Sequence, residues 1–192
     1  MRVAIEDHDP TWRAQFLDIR EQLQRDLKDV PIVSIEHVGS TTIPGLKAKP
    51  VLDIDVVVTA SYLEAVRNAM VKAGYTDCGE MNVPGRYVMR QPGYGQHDAA
   101  HGRGHDGEMR RNTYIMVEGY PSLRNHLDVR RVLLENAKLR EEYGRLKAGL
   151  TGKEFNDIGE YVRCKSEVLV KILRAAGWSE EDLQPVVNAN SQ

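Results

Sequence analysis

The run Val51-Leu52-Asp53-Ile54-Asp55-Val56-Val57-Val58 constrains this chain most, because it sets two acids inside a stretch that belongs in a core. It is aliphatic, rich in β-branched residues and opened by Pro50, the composition of a buried strand. Side chains alternate along a strand, so Asp53 and Asp55 share one face while Leu52, Ile54 and Val56 fill the other. Two carboxylates held side by side repel each other and are costly to desolvate. A divalent cation is the usual remedy, and the spacing marks Asp53 and Asp55 as candidate metal ligands and catalytic residues. Upstream, a second apolar strand ends in Val38-Gly39-Ser40. That turn suits close approach by a phosphate, with the Ser40 N–H and hydroxyl as donors. Gly-Ser, a loop and then Asp-x-Asp is a geometry suited to Mg²⁺ (or Mn²⁺), which accepts a few carboxylate oxygens alongside water and phosphate oxygens.

Composition removes several classes of function. At 192 residues the chain is long enough to bury one sizeable core. Its 26 Lys plus Arg against 28 Asp plus Glu give a net charge of −2, which offers no field for nucleic acid and no polybasic membrane patch. No stretch approaches the ~20 apolar residues of a spanning helix, and no signal-peptide pattern opens the chain. Cys78 and Cys164 lack disulfide or metal spacing, which fits a reducing cytoplasm.

Asp9-Pro10 reads as a helix start, followed by Trp12, Phe16, Ile19, Leu23 and Leu27 at helical spacing. A strand is expected from Ile32 to Val38, a loop from Gly39 to Lys49, then the acidic strand. A helix from Ser61 stops at Gly74. Tyr75 to Cys78 and Gly85 to Arg90 are short strands, and Thr113 to Val117 another. Gln91 to Gly107, with five glycines and few large apolar residues, reads as an exposed, mobile loop and a candidate substrate lid. Its His97, His101 and His105 recur every four residues, but Gly102 and Gly104 oppose a helix there and no zinc spacing is completed. Helices follow over Ser122 to Glu135, Lys138 to Leu150 and Asp157 to Ala176, and residues after Gln184 are expected to fray. The fold expected is α+β: a mixed β-sheet packed with helices, plus a helical C-terminal third.

The block Ile35-Glu36-His37-Val38-Gly39-Ser40-Thr41-Thr42-Ile43-Pro44-Gly45-Leu46-Lys47-Ala48-Lys49-Pro50-Val51-Leu52-Asp53-Ile54 closely resembles the signature of the GrpB-like family, which belongs to the nucleotidyltransferase superfamily with the polymerase-β-type fold. Asp9-Pro10-Thr11-Trp12, Arg86-Tyr87-Val88-Met89-Arg90, Gly119-Tyr120-Pro121, Arg130-Arg131, Tyr143 to Lys147, and Tyr161 with Lys165 follow in the family's order, so the likeness spans about residues 6 to 176. The resemblance implies a single nucleotidyltransferase-like domain over 1–184, with its core at about 6–120, C-terminal helices at about 122–177 and a tail at 185–192. It makes Gly39 and Ser40 the phosphate turn. It also makes Lys49, Arg86, Arg90 and Lys165 candidates for contacting triphosphate or substrate anions.

The chain departs from the family twice. Members often carry His-x-His where this chain has Asn112-Thr113-Tyr114, which puts Tyr114 at the position of a third ligand or base; Glu118, of the same strand parity, is the other candidate. The Gln91 to Gly107 loop resembles an insertion. His37 is either an accessory group or a half-buried, hydrogen-bonded histidine. Tyr161 and Lys165 matter only if the last helix covers the cleft.

The expectation is a cytoplasmic, Mg²⁺-dependent nucleotidyltransferase moving an NMP group from a nucleoside triphosphate, ATP in the first instance, to a small-molecule acceptor. Two alternatives stand beside it: a ligase that adenylates a carboxylate for amide formation, and a non-catalytic module that binds nucleotide or a partner. An apolar stripe on the C-terminal helices would allow a homodimer.

Overall fold

The computed structural model describes residues 4–102, 104–156 and 158–191. Five strands form one sheet: β1 (Ser34–Val38), β2 (Val51–Val58), β3 (Thr76–Asp77), β4 (Arg86–Arg90) and β5 (Arg110–Val117), in the order β1-β2-β5-β4-β3. Only β2 and β5 pair in parallel; the other neighbours are antiparallel. A parallel pair needs a long crossover. Here the connection from β2 to β5 passes through α2 (Leu63–Lys72), β3 and β4.

One face of the sheet carries the main core. Leu52, Ile54, Val56 and Val58 of β2 meet Trp12, Phe16 and Leu23 of α1 (Thr11–Asp26) and Val66 and Met70 of α2. Asp9 accepts the Thr11 N–H at 2.8 Å, which satisfies one of the donors left open at the start of α1. The opposite face packs against α3 (Pro121–Glu135), where Val57 and Met116 meet Leu123 and Leu127. α4 (Ala137–Leu150), α5 (Ile158–Arg163), α6 (Ser166–Ala175) and α7 (Glu180–Ser191) complete the helical third. With α3 they form a cluster of Val132, Leu133, Tyr143, Val168 and Ile172 that closes on Ile43 and Leu46 of the loop after β1. Among the described residues no helix is long and apolar enough to cross a membrane.

Three local expectations change. The helix expected from Asp157 to Ala176 is two helices, α5 and α6, separated around Cys164 and Lys165; Asp157 itself lies outside the described residues. The tail after Gln184 is helical through Ser191 rather than frayed. Its start is a reciprocal cap, with the Asp182 N–H donating to Ser179 Oγ at 3.1 Å and the Ser179 N–H to Asp182 Oδ2 at 3.3 Å. Leu183 is then buried against Trp178, Val170 and Leu173. Finally, the Gln91 to Gly107 loop is anchored. The buried Tyr94 ring is sandwiched between Arg110, whose guanidinium carbon lies 3.4 Å from the ring centroid, and His105, stacked at 4.9 Å. The Tyr94 hydroxyl donates to Glu108 at 2.8 Å and accepts the His105 N–H at 2.8 Å.

Candidate functional site

Register sets the floor of the site. Val38, Asp53, Asn112 and Arg90 lie side by side across β1, β2, β5 and β4, and the next row is Glu36, Asp55, Tyr114 and Val88. Residues directly opposite one another in neighbouring strands share a face, so both acids point away from the main core, as the alternation requires. Glu36 is neutralised by Arg130, 2.9 Å away, which also donates to the His37 carbonyl at 2.8 Å.

The two acids differ in what they can do. Asp55 has no solvent exposure, and its oxygens lie 2.9 and 3.1 Å from Nδ1 of His126 on α3. Burial opposes charge on this imidazole, but Asp55, through its charge and hydrogen bond, and then Asp53 together push the His126 pKa above its usual value. Asp53 is half-buried and accepts the Asn112 amide at 2.9 Å. Burial raises its pKa, against the pull of Asn112, His126 and Lys49. Gly39, at φ 72°, is required here because a Cβ would come within 2.2 Å of Asp53 Oδ2. The carboxylate of Asp53, rather than open space for a ligand, fills the place that the glycine leaves.

Beside Asp53 three lysines converge. Lys49 closes the loop before β2, Lys147 comes from α4, and Lys165 sits between α5 and α6. Lys147 is only 2% exposed. Burial lowers its pKa to about 7, reinforced by Lys165 and Lys49, while Asp53 pulls the other way. Lys165 is lowered to about 8 by burial and then Lys49. Lys49 is also lowered by burial, opposed by Asp53. Among the described residues no carboxylate forms an ion pair with any of the three. Aromatic faces serve instead: the Tyr161 ring lies 4.1 Å from the Lys165 ammonium and 5.8 Å from that of Lys49, and Tyr143 lies 5.1 Å from Lys147. Burial pushes the Tyr143 hydroxyl pKa up to about 12, with the neighbouring Ser40 opposing the rise. The Gly39-Ser40 turn therefore lies beside the helix that carries Lys147.

Arg86 and Arg90 face the same floor from β4, with the Arg86 guanidinium carbon 5.2 Å from the Tyr114 ring centroid. Burial is the main reason the Tyr114 pKa is raised; Asp53 and Asp55 add to the rise, whereas Arg86 and Arg90 oppose it. Two of the residues expected at the site lie elsewhere. His37 pairs with Ile54 on the core side, stacks on Phe16 at 4.7 Å and bonds Thr41 at 2.9 Å. Burial and then Arg130 lower its pKa to about 4, so it is a neutral packing group. Glu118 is exposed, one residue past the end of β5, where its N–H donates to Val58. The sequence reading missed His126, Asn112, Tyr143 and Lys147 as site residues. Tyr143 and Lys147 are four apart and share one face of α4, but nothing local says that this face meets Asp53.

The donor set bears on a metal. Hard carboxylate oxygens suit Mg²⁺, and Asp53 offers such a group at the edge of the lysine cluster. Asp55 spends both oxygens on His126. The expected two-carboxylate ligand set is therefore reduced, in this conformation, to one available acid. Surface hollows beside α6 (Ser166, Val170, Lys171, Arg174) and beside α1 (Gln15, Ile19, Met109, Arg111) include none of these residues.

An α+β protein with three lysines gathered against an acidic strand is the class these elements define. The chain belongs to the GrpB family, whose profile, described as GrpB protein, matches residues 2–175. It is 31% identical over 180 residues to the UPF0157 protein SCO7215 of Streptomyces coelicolor, covering 92% of this chain and 86% of that one. It is 28% identical over 176 residues to the glutamate-rich protein GrpB of Alkalihalophilus pseudofirmus, covering 89% and 94%. The crystal structure of conserved protein GrpB from Enterococcus faecalis superposes with a TM-score of 0.71 at 26% identity, covering 90% of this chain and 96% of that one.

Proposed function

We propose that this protein is a nucleotidyltransferase that holds a nucleoside triphosphate on Lys49, Lys147, Lys165 and the Ser40 turn, and passes its NMP group to a small-molecule acceptor. The observation that carries the reading is the convergence of three ammonium groups, Lys147 buried and Lys49 and Lys165 half-buried, that lack a carboxylate partner. Unpaired buried cations are costly, and a triphosphate would compensate them all at once. Asp53 stands at the edge of this cluster. In the transfer the acceptor oxygen bonds to the α-phosphorus and the bond to the bridging oxygen breaks. Pyrophosphate leaves, and the acceptor's proton passes to water. Mg²⁺ or Mn²⁺ delivered with the triphosphate would neutralise the developing charge; Asp53 would be its protein ligand, and Asp55 would join only with His126 turned aside.

The test is calorimetric titration of ATP with Mg²⁺ into the wild type and Lys147→Met. The wild type should bind and the variant should weaken by roughly tenfold or more, the scale of one lost charge-assisted contact. Equal binding by both proteins would sink the proposal. A second reading, a non-catalytic nucleotide-binding module, is favoured by the Asp55–His126 pair alone. It predicts the same binding with no pyrophosphate release for any acceptor.

A further inference from the structure

We infer that Arg86 and Arg90 form a second anion subsite, separate from the lysine cluster, which takes a carboxylate or phosphate group on the acceptor. This deepens the nucleotidyl-transfer reading and rests on it: the acceptor is itself an anion.

Both arginines project from β4 onto the face that carries Asp53 and Asp55. Arg90 is in line with Asn112 and Asp53, two strands from the acid. At the usual strand spacing their Cα atoms are roughly 10 Å apart. Arg90 is 9% exposed and its Nε reaches only the Gln96 carbonyl, at 3.5 Å. Arg86 Nε is buried without a hydrogen-bond partner. Among the described residues neither guanidinium forms an ion pair, whereas Arg67, Arg130 and Arg174 each do. One buried and one half-buried guanidinium held at a sheet face, with unused donors, are suited to a forked contact with an oxyanion.

The arrangement separates this pole from the lysines. Tyr114 and Asn112 of β5, with Asp53 and Asp55 of β2, form a strip between them. Asp53 and Asp55 bond Asn112 and His126, and among the described residues neither forms an ion pair with the arginines. A triphosphate on the lysines and an anionic acceptor on Arg86 and Arg90 would each reach Asp53 from opposite sides. One anion of triphosphate length would not need both poles. Tyr114, stacked under Arg86, stands where the two substrates would meet.

The experiment is calorimetry on the whole chain with three probes: tripolyphosphate, then glutarate or methyl phosphate added to the tripolyphosphate-saturated protein. The wild type should bind one of the two second probes, and which one distinguishes a carboxylate from a phosphate acceptor. Arg86→Gln should weaken that second probe roughly tenfold or more while leaving tripolyphosphate within about twofold, and Lys147→Met should do the reverse. Arg90→Lys keeps the buried charge, guards against misfolding, and should still lose the forked contact. Binding of neither second probe to the wild type would overturn the inference. So would arginine variants that weaken tripolyphosphate as much as the second anion. If tripolyphosphate fails to bind but glutarate or methyl phosphate binding still depends on Arg86, the subsite stands and the triphosphate reading falls.

Discussion

Asp53 and Asp55 are two residues apart, share a face and have different fates. What separates them is His126, 71 residues from Asp55 in sequence, which seals one carboxylate and leaves the other facing the lysines. Removing one partner of a buried pair strands the other, so His126→Gln should destabilise the fold by about 3 kcal/mol. The sign of the pH dependence follows from the raised His126 pKa. A raised folded-state value makes the pair's contribution complete below about pH 6.5, the ordinary imidazole value, and lost as pH climbs through the folded value. Urea unfolding at a series of pH values should therefore show a decline above about pH 6.5 in the wild type that is missing from His126→Gln. Parallel profiles would contradict the pairing. The acidic pair itself was legible because strand alternation is local. The distinction between its members was not, since it comes from a helix that reaches the sheet only through tertiary packing.

At the scale of elements, the sequence is most informative where the determinants are neighbours. The aliphatic strand, the Asp9-Pro10 helix start and the turn at Gly39 are read from adjacent residues, and the structure places each where expected. The misjudged elements depend on partners elsewhere. The glycine-rich loop was read as mobile for want of apolar anchors, but Tyr94 is held through its ring by Arg110, from the next strand. The tail was read as frayed from its polarity, although Ser179 and Asp182 have the spacing of a reciprocal cap and Leu183 is 1% exposed. α7 is therefore held by Leu183 as its buried anchor, with Val186 packed beside it, the cap and the Arg124–Asp182 ion pair. Leu183→Ala should cost about 2–4 kcal/mol, and Trp178 fluorescence should shift to the red as its surroundings open. An unchanged spectrum and stability would show that α7 does not dock through Leu183.

The whole molecule carries a net charge of −2, yet its candidate site is cationic. Composition speaks only to the summed charge and could not show three lysines, drawn from positions 49, 147 and 165, brought together around one acid. Lys49 and Lys165 were singled out through the family's order; Lys147 emerged only when α4 was seen packed against the loop after β1. Such a cluster stores a measurable property. With Lys147 lowered to about 7 and Lys165 to about 8, both are partly neutral in the free protein at pH 8. A bound polyanion stabilises their charged forms and must draw protons from solution. The decisive measurement is calorimetry at pH 8 with the Mg²⁺ complex of a non-hydrolysable nucleoside triphosphate, repeated in HEPES and in Tris, whose ionisation heats differ. Binding to the wild type should be accompanied by uptake of roughly one proton, and Lys147→Met should bind more weakly and take up less. No binding, or a binding heat that does not depend on the buffer, would contradict the assignment of the lysine cluster as the triphosphate site.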